Sequence, residues 1–118
     1  MLLRVTRTLR SWCDFENGAT LGSQGSESGF ILLDEEYLHA ARITLERATR
    51  VAPFAITCGV YGRLLHTRYF GPQARALSEY AAMKNVLQEI VDGFDSDAPR
   101  MRTRAQQALE EFTEKFPA

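Results

Sequence analysis

Residues 54–70, FAITCGVYGRLLHTRYF, constrain the fold more than any other stretch of the chain. Apolar residues recur at every second position of 54–60, which is typical of a β-strand with one buried face. Gly62 supplies the positive φ that a tight turn between antiparallel strands needs. The pattern therefore predicts a hairpin with strands over 54–60 and 63–70, the second of which carries apolar and polar residues on both faces.

The register of this hairpin decides which side chains can act together. A two-residue turn at Tyr61-Gly62 would place Cys58 opposite Leu65 and His66 opposite Thr57. Residues that face each other across two strands share a face of the sheet, so Cys58 and His66 would then point to opposite sides. A slip of one residue would reverse this, and the geometry of the pair stays open.

Two further strands are predicted upstream, over 30–37 (FILLDEEY) and 41–47 (ARITLER). Residues 41–47 alternate and are rich in types that suit a pleated surface. One helix over 34–50, with Asp34 as its N-cap, is the alternative. Pro53 forces a break after either arrangement.

The C-terminal third predicts two amphipathic helices. Apolar residues repeat at intervals of three and four over 74–94, where Gly93 is placed as the C-terminal stop. Asp97 is the expected N-cap, and Pro99 the first-turn residue, of a second helix over about 98–116. Its apolar seam consists of Met101, Ala105, Ala108, Phe112 and Phe116. A short break joins the two, which predicts an αα-hairpin packed on the sheet.

The N-terminal 30 residues contain an amphipathic segment followed by a segment without a periodic apolar pattern. Residues 1–13 place Trp12 and Cys13 on the apolar face of an amphipathic helix, although a strand is an alternative. Residues 16–29 hold four glycines and three serines. Such a composition buries little apolar surface and predicts a flexible loop, which could serve as a lid.

Together these elements predict one α+β domain over residues 1–118: an N-terminal amphipathic element, an antiparallel meander of about four strands, and a two-helix C-terminal hairpin. No apolar run reaches the ~20 residues that a membrane span requires. Two cysteines do not make a disulfide framework. We therefore expect a soluble, cytoplasmic protein that does not bind membranes, and the net charge of −1 argues against nucleic-acid binding.

The candidate catalytic residues lie in the hairpin. Cys58 sits between small residues in a strand, where a buried thiol usually acts as a small hydrophobe, and Cys13 is interpreted in the same way. His66 and Tyr61 complete the catalytic candidates. Arg68 and Tyr80 are the candidate ligand-binding residues.

Two further sets of charged or titratable residues are candidates for binding an ion. Arg100 and Arg104 crowd the start of the last helix, where positive charge opposes the helix dipole, so they are candidates for binding an anion. Glu35 and His39 would share a face of a helix over 34–50, but two ligands do not make a metal site, and neither a metal nor a cofactor is expected.

No catalytic motif is recognisable. This weighs against an enzyme but does not decide the question. Apolar side chains on both faces of the predicted hairpin favour a non-catalytic module that binds a protein partner or forms a homodimer. The alternative is a small enzyme or ligand-binding domain, with a pocket between sheet and helices around Cys58, Tyr61, His66 and Arg68.

Overall fold

The computed structural model describes residues 10–118, which form a five-stranded antiparallel sheet followed by two helices. The strands lie side by side in chain order, as a meander. They are β1 (Trp12–Asp14), β2 (Phe30–Tyr37), β3 (Ala41–Arg47), β4 (Phe54–Val60) and β5 (Leu64–Phe70), and the helices are α1 (Gln73–Phe94) and α2 (Pro99–Lys115). The predicted α+β fold is confirmed, with β1 added to the four predicted strands.

Residues 34–50 form strands, and the alternative of one helix is wrong. β2 and β3 are joined by a turn in which Leu38 and His39 have φ values of 50° and 52°. Ile43 and Leu45 on β3 are almost completely buried against the helices. Residues two positions apart share a face in a strand, whereas in a helix over the same residues they would lie on nearly opposite sides.

The predicted N-terminal helix falls largely on residues 1–9, which lie outside the described residues. Trp12 and Cys13 do not belong to a helix, because both lie in β1 and pair with β2. The Trp12 ring lies 5.3 Å from the ring of Tyr37, and its indole nitrogen donates to Gln88 of α1 at 3.1 Å. β1 therefore fastens one edge of the sheet to the first helix.

One face of the sheet, here called the helix face, packs on α1 and α2. It carries the apolar residues Ile43, Leu45, Ile56, Val60 and Phe70. The other face, here called the open face, is mostly polar: its strand residues include Asp34, Arg42, Thr44, Glu46, Thr57 and Thr67. The prediction that apolar side chains lie on both faces of the hairpin is confirmed in part. β5 places the exposed Leu65 and Tyr69 on the open face, whereas Leu64 and Phe70 lie on the helix face.

The Gly/Ser-rich segment lies against the open face. Glu46, whose side chain is fully buried, accepts hydrogen bonds from the backbone N–H groups of Gly29 at 3.0 Å and Glu27 at 3.2 Å. A Cβ at Gly25 would lie 2.3 Å from the carboxyl carbon of Glu46, so the close approach needs a glycine. The mobility of residues 16–29 stays a prediction, but Glu46 gives the segment a fixed anchor.

The two helices confirm the predicted αα-hairpin, with two corrections at its turn. Gly93 lies within α1, which continues to Phe94, and its φ is not positive, so it does not act as a left-handed stop. It is buried, and a Cβ there would lie 2.7 Å from the Cβ of Ala105 on α2. Asp97 does not cap α2. The N-cap position is Ala98, whose N–H is bound by the hydroxyl of Ser96. No helix within residues 10–118 is long and apolar enough to cross a membrane.

Candidate functional site

The turn between β4 and β5 has three residues, and this sets the hairpin register. The Arg63 N–H donates to the Val60 carbonyl at 2.9 Å, Gly62 has a φ of 76°, and pairing resumes at Leu64. Cys58 therefore lies opposite His66 on the helix face, and the predicted pairing of Cys58 with Leu65 is wrong. The shift by one residue brings two catalytic candidates to one face of the sheet.

The environment of Cys58 opposes thiol chemistry. Cys58 is 2% exposed, and burial raises the pKa of its thiol to about 12, against a smaller lowering by Arg68. A reactive cysteine requires the opposite shift, because the thiolate is the nucleophile. Cys13, predicted to fill an apolar site, is instead exposed on β1.

Alkylation of the native protein should therefore distinguish the two cysteines. We expect iodoacetamide to modify Cys13 within minutes and to leave Cys58 unmodified until the protein is denatured. Mass spectrometry should detect one adduct on the native chain and two in guanidinium chloride. A Cys13→Ser variant that is alkylated rapidly without denaturant would contradict this environment for Cys58.

His66 and Arg68 hold the C-terminus of the chain. His66 Nε2 donates to the Phe116 carbonyl at 2.6 Å, and Arg68 Nε donates to the Pro117 carbonyl at 2.8 Å. Arg68 also forms an ion pair with Glu79 of α1 at 2.7 Å and is only 5% exposed. These contacts join β5, α1 and the C-terminal residues, so both side chains act in holding the fold together.

The two tyrosines of the predicted site lie apart from this cluster. The Tyr80 hydroxyl donates to Glu35 at 2.8 Å, beside Lys84, and burial raises the Tyr80 pKa, as does the hydrogen bond to Glu35. Tyr61 lies in the β4–β5 turn, 47% exposed, and donates to Glu36. The structure thus brings Cys58, His66 and Arg68 together, whereas Tyr80 and Tyr61 form hydrogen bonds with glutamates outside this cluster.

The remaining charged candidates are separate from one another. Arg100 and Arg104 are exposed at the start of α2, and anion binding there stays a prediction. Asp95, close to them in the sequence, pairs with Arg10 at 2.6 Å. His39 lies in the β2–β3 turn, so its predicted helical pairing with Glu35 is wrong. Within residues 10–118, no three potential metal-ligating side chains cluster.

The open face also carries a buried ionic network that was not predicted from the sequence. Arg42 binds Asp34 through two parallel hydrogen bonds of 2.9 and 2.7 Å, and the hydroxyls of Thr44 and Thr20 donate to the same carboxylate at 3.0 and 2.8 Å. The Asp34 side chain is completely buried, whereas that of Arg42 is 35% exposed. Burial raises the Asp34 pKa, but hydrogen bonds from Arg42 and the threonines outweigh it and hold the pKa below its usual value.

Beside this network lies a cavity of about 520 Å³, here called the open-face cleft. One wall is the loop segment 20–26, the other is the end of the β4–β5 hairpin, and Arg42, Thr44 and Thr57 lie between them. Arg42 also stacks on Phe15, whose ring centroid is 3.6 Å from the guanidinium carbon. The cleft therefore combines polar backbone, one cation and apolar side chains at a single place.

No protein-family model, no curated protein and no solved structure matches this chain.

Proposed function

We propose that this chain is a non-catalytic module that assembles with a second copy of itself through the outer edge of β5. The observation that carries the proposal is the sequence of β5, LLHTRYF, which is nearly palindromic in side-chain character about Thr67. Homodimers with two-fold symmetry are the commonest soluble assemblies, and they require a surface that is complementary to itself.

Three of the candidate site residues, Cys58, His66 and Arg68, support a non-catalytic role because internal contacts occupy them. Cys58 is buried with a raised pKa. His66 and Arg68 are bound to carbonyl groups of the C-terminal residues. A general base or nucleophile must be free to reach a substrate, and these three groups are committed to the fold.

The edge position of β5 supports assembly. β5 is the last strand of the meander and pairs with β4 on one side only. Soluble proteins usually protect such an edge with proline, lysine, a bulge or a very short strand. β5 has seven residues and no proline or lysine, and its pairing with β4 is regular throughout. Its outer backbone groups are therefore suited to pairing with another strand.

The order of side chains along β5 favours pairing with the β5 strand of a second copy of the chain. In an antiparallel pair centred on Thr67, Leu65 faces the partner's Tyr69, Leu64 faces the partner's Phe70, and Thr67 faces its own equivalent. Leu65 is 80% exposed and Tyr69 is 37% exposed, so their pairing would remove apolar surface from water. His66 would face the partner's Arg68, and each is already held by carbonyl groups of its own chain.

Sedimentation velocity tests self-association directly. An edge-to-edge contact is small, and small interfaces give weak complexes, so we expect a reversible monomer–dimer equilibrium between about 5 and 500 µM. The weight-average mass should rise from 13.3 kDa toward twice that value. A mass that stays at 13.3 kDa over the whole range would refute the proposal.

We also propose that the protein functions in the cytoplasm. Cys13 is exposed and both cysteines are free thiols, which suits a reducing compartment. Fractionation of cells that produce the protein tests this assignment, with recovery in the soluble cytoplasmic fraction as the expected result.

A further inference from the structure

We infer that the open-face cleft binds a small amphipathic anion, a molecule with an apolar body and one carboxylate or sulfonate group. This inference goes beyond self-assembly and depends mainly on other residues of the loop and the open face. Leu65 alone takes part in both arguments, since it lines the cleft and also lies on the proposed β5 interface. A volume of about 520 Å³ is within the usual range of small-molecule sites.

The two walls of the cleft differ in polarity. The loop wall presents small polar residues and backbone, from Ser23 to Ser26. The hairpin wall presents the side chains of Tyr61 and Leu65, of which Leu65 is 80% exposed and Tyr61 is 47% exposed. A ligand that is apolar along one side would cover these exposed side chains, and burial of apolar surface is the main driving force for binding such a molecule.

Arg42 provides the polar end of the site. It is the only residue of the cleft lining that carries a formal charge at pH 7. A guanidinium has five N–H donors. Two of them bind Asp34, which leaves three without an acceptor among residues 10–118. Planar donor pairs of this kind suit a carboxylate or sulfonate, which accepts two hydrogen bonds at once.

The guanidinium is held in place before any ligand binds. Asp34 fixes one edge of the group through two hydrogen bonds, and Phe15 lies 3.6 Å from the guanidinium carbon on one side. A ligand that binds the free edge would therefore pay little for ordering Arg42. Asp34 also neutralises the charge of Arg42, so attraction would come from short-range N–H donation, with little contribution from the field of a net positive charge.

The probe that tests this inference is 8-anilinonaphthalene-1-sulfonate, which has an aromatic body and one sulfonate. We would titrate it into ¹⁵N-labelled full-length protein and follow backbone amide shifts. We expect saturable shifts concentrated at residues 20–26, Arg42 and 57–65. Its uncharged relative N-phenyl-1-naphthylamine should bind about tenfold more weakly, because charge-assisted hydrogen bonds to Arg42 are lost.

Two matched variants test the role of Arg42. Arg42→Lys retains the charge but loses the planar fork, and we expect it to weaken sulfonate binding by about tenfold. Arg47→Lys is the control, because Arg47 lies on the same strand and stacks on Phe30 but does not line the cleft. Thermal unfolding of each variant establishes that it is folded.

Several results would overturn the inference: no saturable binding, shifts centred outside the cleft, or equal affinity for the anionic and uncharged probes. Equal affinity of the Arg42→Lys and Arg47→Lys variants would do so as well. If Arg42→Lys does not fold, the comparison of the two probes on the unaltered protein decides. A fluorescence titration of 8-anilinonaphthalene-1-sulfonate at less than about 5 µM protein, below the range in which dimers are expected, separates ligand binding from self-association.

Discussion

Replacing Asp34 with alanine is expected to lower the free energy of unfolding by about 3 kcal/mol. Asp34 is fully buried and accepts hydrogen bonds from Arg42, Thr44 and Thr20. Its removal leaves a buried threonine hydroxyl and part of a guanidinium without acceptors. The loss should lie toward the lower end of the usual range for a broken buried pair, because Arg42 is one-third exposed and can bind water.

Urea denaturation of the Asp34→Ala variant measures this loss. Asp97→Ala is the control, since Asp97 is an exposed aspartate and its replacement should change stability by less than about 0.5 kcal/mol. Equal stability of the two variants would contradict the buried network.

The same carboxylate should contribute to the pH dependence of stability. The Asp34 pKa is lower in the folded protein than in the unfolded chain. Its contribution is therefore fully present above the unfolded pKa of about 3.9 and is lost as the pH falls through the folded pKa. The stability difference between the unaltered protein and Asp34→Asn should accordingly be constant above about pH 5 and shrink below about pH 4.

Replacing Gly93 with valine is expected to destabilise the protein by about 2–3 kcal/mol. A Cβ at this position would lie 2.7 Å from the Cβ of Ala105 and 2.9 Å from the carbonyl oxygen of Met101. The Met101 oxygen belongs to the backbone of α2 and cannot rotate away, so the helices would have to separate. Helix propensity alone would predict the opposite sign, because glycine is the poorer helix former.

Thermal unfolding followed by circular dichroism checks this expectation. Gly71→Ala is the control, since nothing lies within 4 Å of a Cβ at Gly71, and its melting temperature should change little. A Gly93→Val variant as stable as the unaltered protein would mean that α1 and α2 do not approach so closely.

The strands and helices were predictable because local patterns determine them. Ile43 and Leu45 recur at every second position, and the apolar repeat of α1 ends at Phe94; each pattern matches the face that is packed in the core. The helix over 34–50 remained an alternative because acidic residues followed by arginines also suit helix ends. Tertiary packing decided between them, since only strands bury Tyr37, Ile43 and Leu45 together.

The candidate site was less predictable, because it depends on how strands pair. Whether the β4–β5 turn contains two residues or three cannot be derived from Tyr61-Gly62 alone, yet it decides which face His66 occupies. Asp34 and Arg42 are eight residues apart and meet only because β2 pairs with β3. Once the β2–β3 hairpin is assigned, Asp34 and Arg42 lie on one face with opposite charges, and this pattern predicts an ion pair.

The palindrome of β5 was visible in the sequence, but its significance depends on topology. In the interior of a sheet, LLHTRYF would have strands on both sides and no free edge. The meander places it last in strand order, and the helix face takes up Leu64 and Phe70. Leu65 and Tyr69 remain exposed on the open face, where the proposed two-fold pairing would bring them together.

Introducing a positive or a negative charge at Thr67 tests assembly through the β5 edge most directly, because only a two-fold pair of β5 strands places this residue opposite its own equivalent. Thr67→Lys and Thr67→Asp should each remain monomeric in sedimentation velocity at low salt, since like charges directly opposite destabilise a strand pair. An equimolar mixture should form a heterodimer, whereas the control pair Thr103→Lys and Thr103→Asp on α2 should associate like the unaltered protein. Self-association of either Thr67 variant at the level of the unaltered protein, or a mixture that stays monomeric, would contradict assembly through the β5 edge.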